Sequence, residues 1–208
     1  MLVAITDSSA LPIDVMVERL RHLARSAQPQ SVALLLRDHQ TSGSQRLALG
    51  EQLRAIAREQ QQQLWVADRA DLALLLEADA LHLGEASVPA RVARALLPAG
   101  VRISRAWHTP SCATPEAEAE LAGVDVLLLS PLLGPRKGRP ALGLAALGVL
   151  GSQLRARNQA YPQLFALGGV SAENAAACLA AGAAGVAAIG AALSPDPAPL
   201  LDALGIRR

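Results

Sequence analysis

The chain is 208 residues long, 51% hydrophobic and 18% charged, a balance that supports a packed core and excludes disorder. The 19 Lys+Arg and 18 Asp+Glu leave a net charge of +1, and aromatics are only 2%, so neither the charge nor the stacking surface for nucleic acid is present. No apolar run approaches the roughly 18–20 residues of a membrane span, and the first residues lack the basic-then-apolar pattern of an export signal.

A cytoplasmic protein is therefore expected, with no membrane partner. Cys112 and Cys178 are expected to be reduced thiols, because they match no zinc spacing. Lys137 is the only lysine.

Along the chain, short apolar runs alternate with Ala/Leu-rich helical stretches. The runs cover residues 2–6, 32–37, 64–67, 80–83, 101–104, 126–130, 164–167 and 185–189. Most are continuous rather than alternating, as in strands buried on both faces of a parallel sheet. In the first helical stretch, Ile13, Met16, Leu20 and Leu23 recur at three and four residues and mark one buried face, with Pro12 suited to a first helical position. The seventh starts at Ser171, an N-cap candidate with Glu173 in the first turn, and stops near Gly182.

Eight such units predict a single α/β domain over residues 1–208, a (β/α)8 TIM barrel, with a doubly wound open sheet as the alternative. In a barrel, functional residues sit at the C-terminal ends of the strands. The Gly/Pro-rich segment 130–144, SPLLGPRKGRPALGL, then reads as an active-site loop or as a plain surface connection.

Several residues at strand ends carry candidate chemistry. Gly168, Gly169, Ile189 and Gly190 follow the last two strands, where barrels commonly bind phosphate on backbone N–H groups; tight turns would also explain the glycines. His108 follows the fifth run and is a candidate acid/base or a cap, beside Arg105 and Trp107, the latter a candidate apolar wall. Asp68 is a candidate Mg²⁺ ligand or the N-cap of a helix near Ala70, with Glu85 as a second carboxylate. Arg37 suits a phosphate or carboxylate, with His39 two residues on. His82 alternates within a strand and reads as structural, and His22 as a solvated helix residue.

Three segments together resemble the thiamine phosphate synthase/TenI family: MLVAITDSS at the start, WVADRADLALLLEADALHLG in the middle, and FALGGVSAENAAACLAAGAAGVAAIGAAL near the end. The resemblance covers nearly the whole chain and implies a (β/α)8 barrel with a thiazole phosphate as ligand. Two activities live in such a family. The synthase joins an aminopyrimidine methyl pyrophosphate to the thiazole phosphate with the help of Mg²⁺. The TenI-type enzyme shifts a proton on a thiazole phosphate carboxylate.

Against the synthase pattern, Gln-x-Arg-x-Lys reads Leu35, Arg37 and His39, and Asn-Asp reads Ala67-Asp68. The second acidic metal position reads Ser87, and Ser-x-His reads Ala106-Trp107-His108. The Thr-x-Thr-Lys loop reads Gly134-Pro135-Arg136-Lys137.

These departures favour a TenI-like tautomerase that needs no cofactor. In that reading His108 moves the proton, Lys137 or Arg105 balances the carboxylate, and Gly168, Gly169, Ile189 and Gly190 hold the phosphate. The alternatives are a divergent synthase, with Asp68 and Glu85 on Mg²⁺ and Arg37 and Lys137 on the pyrophosphate, or a non-catalytic, regulatory phosphate-ligand-binding barrel. An Ala-rich, weakly charged outer helix layer leaves a homodimer open.

Overall fold

The computed structural model describes residues 1–38, 40–136, 138–157 and 161–208. The first half runs β1 (Leu2–Ile5), α1 (Ile13–Ser26), β2 (Val32–Leu36), α2 (Gly43–Glu59), β3 (Gln63–Ala67), α3 (Ala70–Leu75), β4 (Ala80–Leu83) and α4 (Ala90–Leu96). The second half runs β5 (Arg102–Trp107), α5 (Pro115–Leu121), β6 (Val126–Leu129), α6 (Ala145–Arg155), β7 (Gln163–Leu167), α7 (Ala172–Ala180), β8 (Gly185–Ala188) and α8 (Ala198–Ala203). Each strand pairs in parallel with the next, and β8 closes on β1. The fold is a (β/α)8 barrel, not an open sheet. Among the described residues no helix is long and apolar enough to cross a membrane.

The strands read as unbroken apolar runs because both of their faces are buried. Val3, Ile5, Leu35, Trp65, Val126, Leu128 and Phe165 fill the barrel interior. Their neighbours Leu2, Ala4, Leu34, Leu36, Leu127 and Leu129 pack outward under the helices. Trp65 and Phe165 lie 6.5 Å apart between ring centroids and plug the lower barrel. Gly185 makes room for them, since a Cβ there would come within 2.5 Å of the Phe165 ring. Above this plug the interior turns polar: His82 on β4 and Ser104 on β5 meet at 3.0 Å, both buried. That pair marks the level where packed core gives way to a site.

In α1, Met16, Leu20 and Leu23 are buried as their spacing predicts. Ile13 is 36% exposed, because it opens the helix before the contact with the barrel begins, and Pro12 takes the N-cap position one residue earlier than expected. In α7, Ser171 is the N-cap, its N–H donating to Asn174 Oδ1 at 2.9 Å. The largest departure is β5, which runs to Trp107, three residues past the apolar run 101–104. Its ladder continues through Ala106 opposite Leu128 and Trp107 opposite Leu129.

Candidate active site

At the C-terminal end of the strands lies a cavity of about 380 Å³, of the size that takes a small organic ligand. Ile5, Ala106, Leu167 and Ile189 give it apolar walls, while arginines, carboxylates and histidines give it a charged rim.

His108 enters this cavity by strand alternation: Ser104 and Ala106 face inward along β5, and His108 follows in the same phase. Its Nδ1 lies 2.6 Å from the Ser130 carbonyl oxygen and 3.2 Å from Ser130 Oγ. A carbonyl only accepts, so Nδ1 carries a proton, and in the neutral ring Nε2 presents the lone pair. That Nε2 is 3.9 Å from Glu85 Oε2. The ring is thus oriented by one nitrogen and available for proton transfer at the other.

The same alternation corrects two expectations. Arg105 and Trp107 are one residue out of phase with His108 and point into the helix layer, not the cavity. Arg105 is 5% exposed. It donates to the Val88 carbonyl at 3.2 Å and approaches Glu120 at 3.6 Å. It therefore braces the loop after β4 from outside and is not placed to balance a substrate carboxylate. Trp107 is buried in the outer core and offers no wall to a ligand.

Asp68, at φ +62°, is not a helix cap; Arg69 takes that position, and no side chain caps α3. The Asp68 carboxylate instead accepts the Gly84 N–H at 3.0 Å and the Ser87 hydroxyl, which ties the end of β3 to the loop after β4. Glu85 on that loop accepts from Arg139 Nη2 at 2.7 and 2.9 Å. Asp68, Ser87 and Glu85 all line the cavity. Their side chains carry oxygen donors, the ligand type that Mg²⁺ prefers. No group of three or more His, Cys, Asp or Glu with metal spacing occurs among the described residues. Mg²⁺ is usually held on one or two carboxylates completed by water and ligand phosphate oxygens, and Asp68 and Glu85 are the carboxylates that would hold it.

Three guanidinium groups, Arg37, Arg136 and Arg139, line the same cavity. Arg37 follows β2, its N–H held by Thr6 Oγ1 at 2.8 Å. Arg136 and Arg139 come from the 130–144 loop, where they exchange backbone hydrogen bonds of 3.0 and 3.1 Å. That loop is anchored to the end of β7 through Leu132 N–H to Leu167 O and Leu133 N–H to Gly168 O. Lys137 and His39 lie outside the described residues. Arg136 and Arg139 line the cavity although the sequence points only to their loop, through its sole lysine and two arginines, and His82 lines it although it reads as structural.

The four cradle residues divide. Gly168 and Ile189 line the cavity. Gly169, at φ +76°, packs so closely on the loop that a Cβ would lie 2.8 Å from Gly134 N. It serves loop docking rather than ligand access. Gly190 opens on free space, with nothing within 4 Å of a Cβ. The N–H groups of Gly190 and Ala191 make no hydrogen bond among the described residues. Unpaired N–H groups at the end of a barrel's eighth strand suit an anion.

Residues 2–192 match the family model described as thiamine monophosphate synthase. The chain is 33% identical over 189 residues to a thiamine-phosphate synthase of Parasynechococcus marenigrum, covering 89% of this chain and 50% of that relative. It thus spans half the length of that protein. It is 32% identical over 203 residues to a thiamine-phosphate synthase of Chlorobium luteolum, covering 95% of this chain and 88% of the relative. Among solved structures, thiamine phosphate pyrophosphorylase from Pyrococcus furiosus superposes with a TM-score of 0.77 at 26% identity, covering 98% of this chain and 93% of that one. A KDPGal structure at 17% identity and TM-score 0.64 shares the fold alone. By motif, barrel and sequence together, the chain belongs to the thiamine monophosphate synthase family.

Proposed function

We propose that this chain is a transferase of thiamine biosynthesis, joining an aminopyrimidine methyl pyrophosphate to a thiazole phosphate. The observation that carries the reading is the convergence of Arg37, Arg136 and Arg139 with Asp68 and Glu85 on one cavity. A tautomerase has one substrate carboxylate to balance beside the phosphate. Three guanidinium groups exceed that need and suit a leaving pyrophosphate, whose charge grows as its bond to carbon breaks. The relatives described as synthases point the same way.

In this reading the thiazole phosphate sits with its phosphate toward Gly168, Ile189 and Gly190. The thiazole ring nitrogen forms a bond to the pyrimidine methylene carbon, and the pyrophosphate departs with the electron pair of the C–O bond. Asp68 and Glu85 would hold Mg²⁺, which when bound would neutralise charge on the pyrophosphate. The arginines hold the pyrophosphate oxygens, and the apolar walls keep water from the exposed carbon.

A second reading, the TenI-like proton shift, is favoured by His108, whose Nε2 lone pair is presented to the cavity. Leu35, Ala67 and Ala106 also stand where the synthase pattern carries amide or hydroxyl donors.

The deciding experiment supplies both substrates with and without Mg²⁺. Mg²⁺-dependent release of thiamine phosphate and pyrophosphate supports the transferase. No product with Mg²⁺, together with metal-free conversion of the thiazole carboxylate tautomer that is lost in His108→Ala, refutes the transferase and supports the proton shift.

A further inference from the structure

Arg139 differs from the two other guanidinium groups in the cavity. Among the described residues Arg37 and Arg136 have no ion-pair partner, whereas Arg139 is held by both oxygens of Glu85 at 2.7 and 2.9 Å. The pair joins the loop after β4 to the loop after β6 across the cavity mouth. Both members are partly open to solvent, with side chains 40% and 59% exposed, so the pair is weakly held.

The backbone under Arg139 is fixed by its reciprocal hydrogen bonds to Arg136 and by the docking of the loop on β7. The side chain is therefore the movable part, on a base that keeps Arg136 beside it. Among the described residues, a carboxylate here occupies one of the three guanidinium groups that a polyanion in the cavity would meet.

We propose that Glu85 is an internal stand-in for ligand pyrophosphate. It holds the Arg139 guanidinium across the cavity mouth and surrenders it when a pyrophosphate enters. The exchange breaks no covalent bond; one anion replaces another on the same N–H groups. It makes entry selective for high negative charge, because a ligand must outcompete a carboxylate already in place. A pyrophosphate, reaching Arg37 and Arg136 as well, does so, and a monoanion does not. The inference rests on the pyrophosphate reading of the site, yet it concerns binding and not turnover.

The test is calorimetric titration of the whole protein with inorganic pyrophosphate in metal-free buffer, for wild type, Glu85→Gln, Arg139→Gln and the double variant. Removing the competitor in Glu85→Gln tightens binding about two- to fivefold, the range of an exposed ion pair. Arg139→Gln weakens it about tenfold, as the loss of a charged hydrogen-bonding partner does. The signature is in the double variant, where the gain from Glu85→Gln disappears because no Arg139 is left to release. A gain that persists there means that Glu85 acts only through its field, and overturns the exchange. Weaker or unchanged binding in Glu85→Gln overturns it as well. Thermal unfolding of each variant, with both residues at the surface, identifies any loss due to misfolding. If the exchange signature holds while no thiamine phosphate forms, the transferase reading fails and the exchange stands.

Discussion

Two glycines near the cavity are alike in sequence and opposite in environment, and alanine at each separates folding from ligand binding. At Gly169 the backbone is left-handed, φ +76°, which costs an L-residue about 1–2 kcal/mol. The added Cβ meets Gly134 N at 2.8 Å and Leu133 C at 3.0 Å, backbone atoms that cannot swing aside. Overpacking of this kind costs about 1–3 kcal/mol more. Gly169→Ala should therefore lose roughly 2–5 kcal/mol of stability.

At Gly190 neither term applies: φ is outside the left-handed region, and nothing lies within 4 Å of a Cβ. Its stability should hold or rise by about 0.4–1 kcal/mol through a less flexible unfolded chain. The open space is, however, where a phosphate would approach the free N–H groups. Losing one hydrogen bond to a charged group costs about 1.5–3 kcal/mol, roughly a 10- to 100-fold fall in thiazole phosphate affinity. Urea denaturation gives the first quantity and calorimetric titration the second. Gly190→Ala that binds thiazole phosphate as tightly as wild type, or that unfolds as readily as Gly169→Ala, would refute the assignment of the phosphate to this turn.

Asp68→Ala removes the acceptor of the Gly84 N–H and the Ser87 hydroxyl, so it should lower stability by about 1 kcal/mol and abolish Mg²⁺-dependent turnover; Asp68→Asn should recover stability but not turnover, as read by thermal unfolding and product assay. Arg105→Met should leave ligand affinity within about twofold but lower stability by about 1 kcal/mol, since it removes the hydrogen bond to the Val88 carbonyl and the approach to Glu120; a tenfold loss of affinity would return Arg105 to the site. Burial pushes the Cys112 and Cys178 thiols above their ordinary value of 9.0, so a thiol reagent at neutral pH should label them only on unfolding. The sign of the linkage follows: the unfolded chain ionises first, so this contribution to stability is whole below about pH 9 and is lost as pH rises toward the folded values, measurable as a falling urea midpoint.

The barrel is legible in the sequence because burial of both strand faces leaves apolar runs, and seven of the eight run to within two residues of the observed strand ends. The fifth run fails for a physical reason. Parallel ladder hydrogen bonds are indifferent to side-chain polarity, so β5 continues through Arg105 and Ala106 after the apolar signal has stopped at Ser104. The cost falls on the site. With the strand ended at Ser104, Arg105, Trp107 and His108 share one loop and all are free to face a ligand. With the strand carried to Trp107, parity decides: 104, 106 and 108 face the barrel axis, and 105 and 107 face the helices.

The capping reading of Asp68 fails differently. Its partners lie 16 and 19 residues further along, a contact set by barrel closure and not by any local pattern. The local cue, a carboxylate just before a helix, points to a cap that the chain does not make. Positions governed by alternation are legible only once the strand's end is known: with β5 carried to Trp107, counting from Ser104 excludes Arg105. Positions governed by loop-to-loop contact, such as Asp68 with Ser87 and Glu85 with Arg139, required the closed barrel to bring strand ends 16 to 54 residues apart onto one rim.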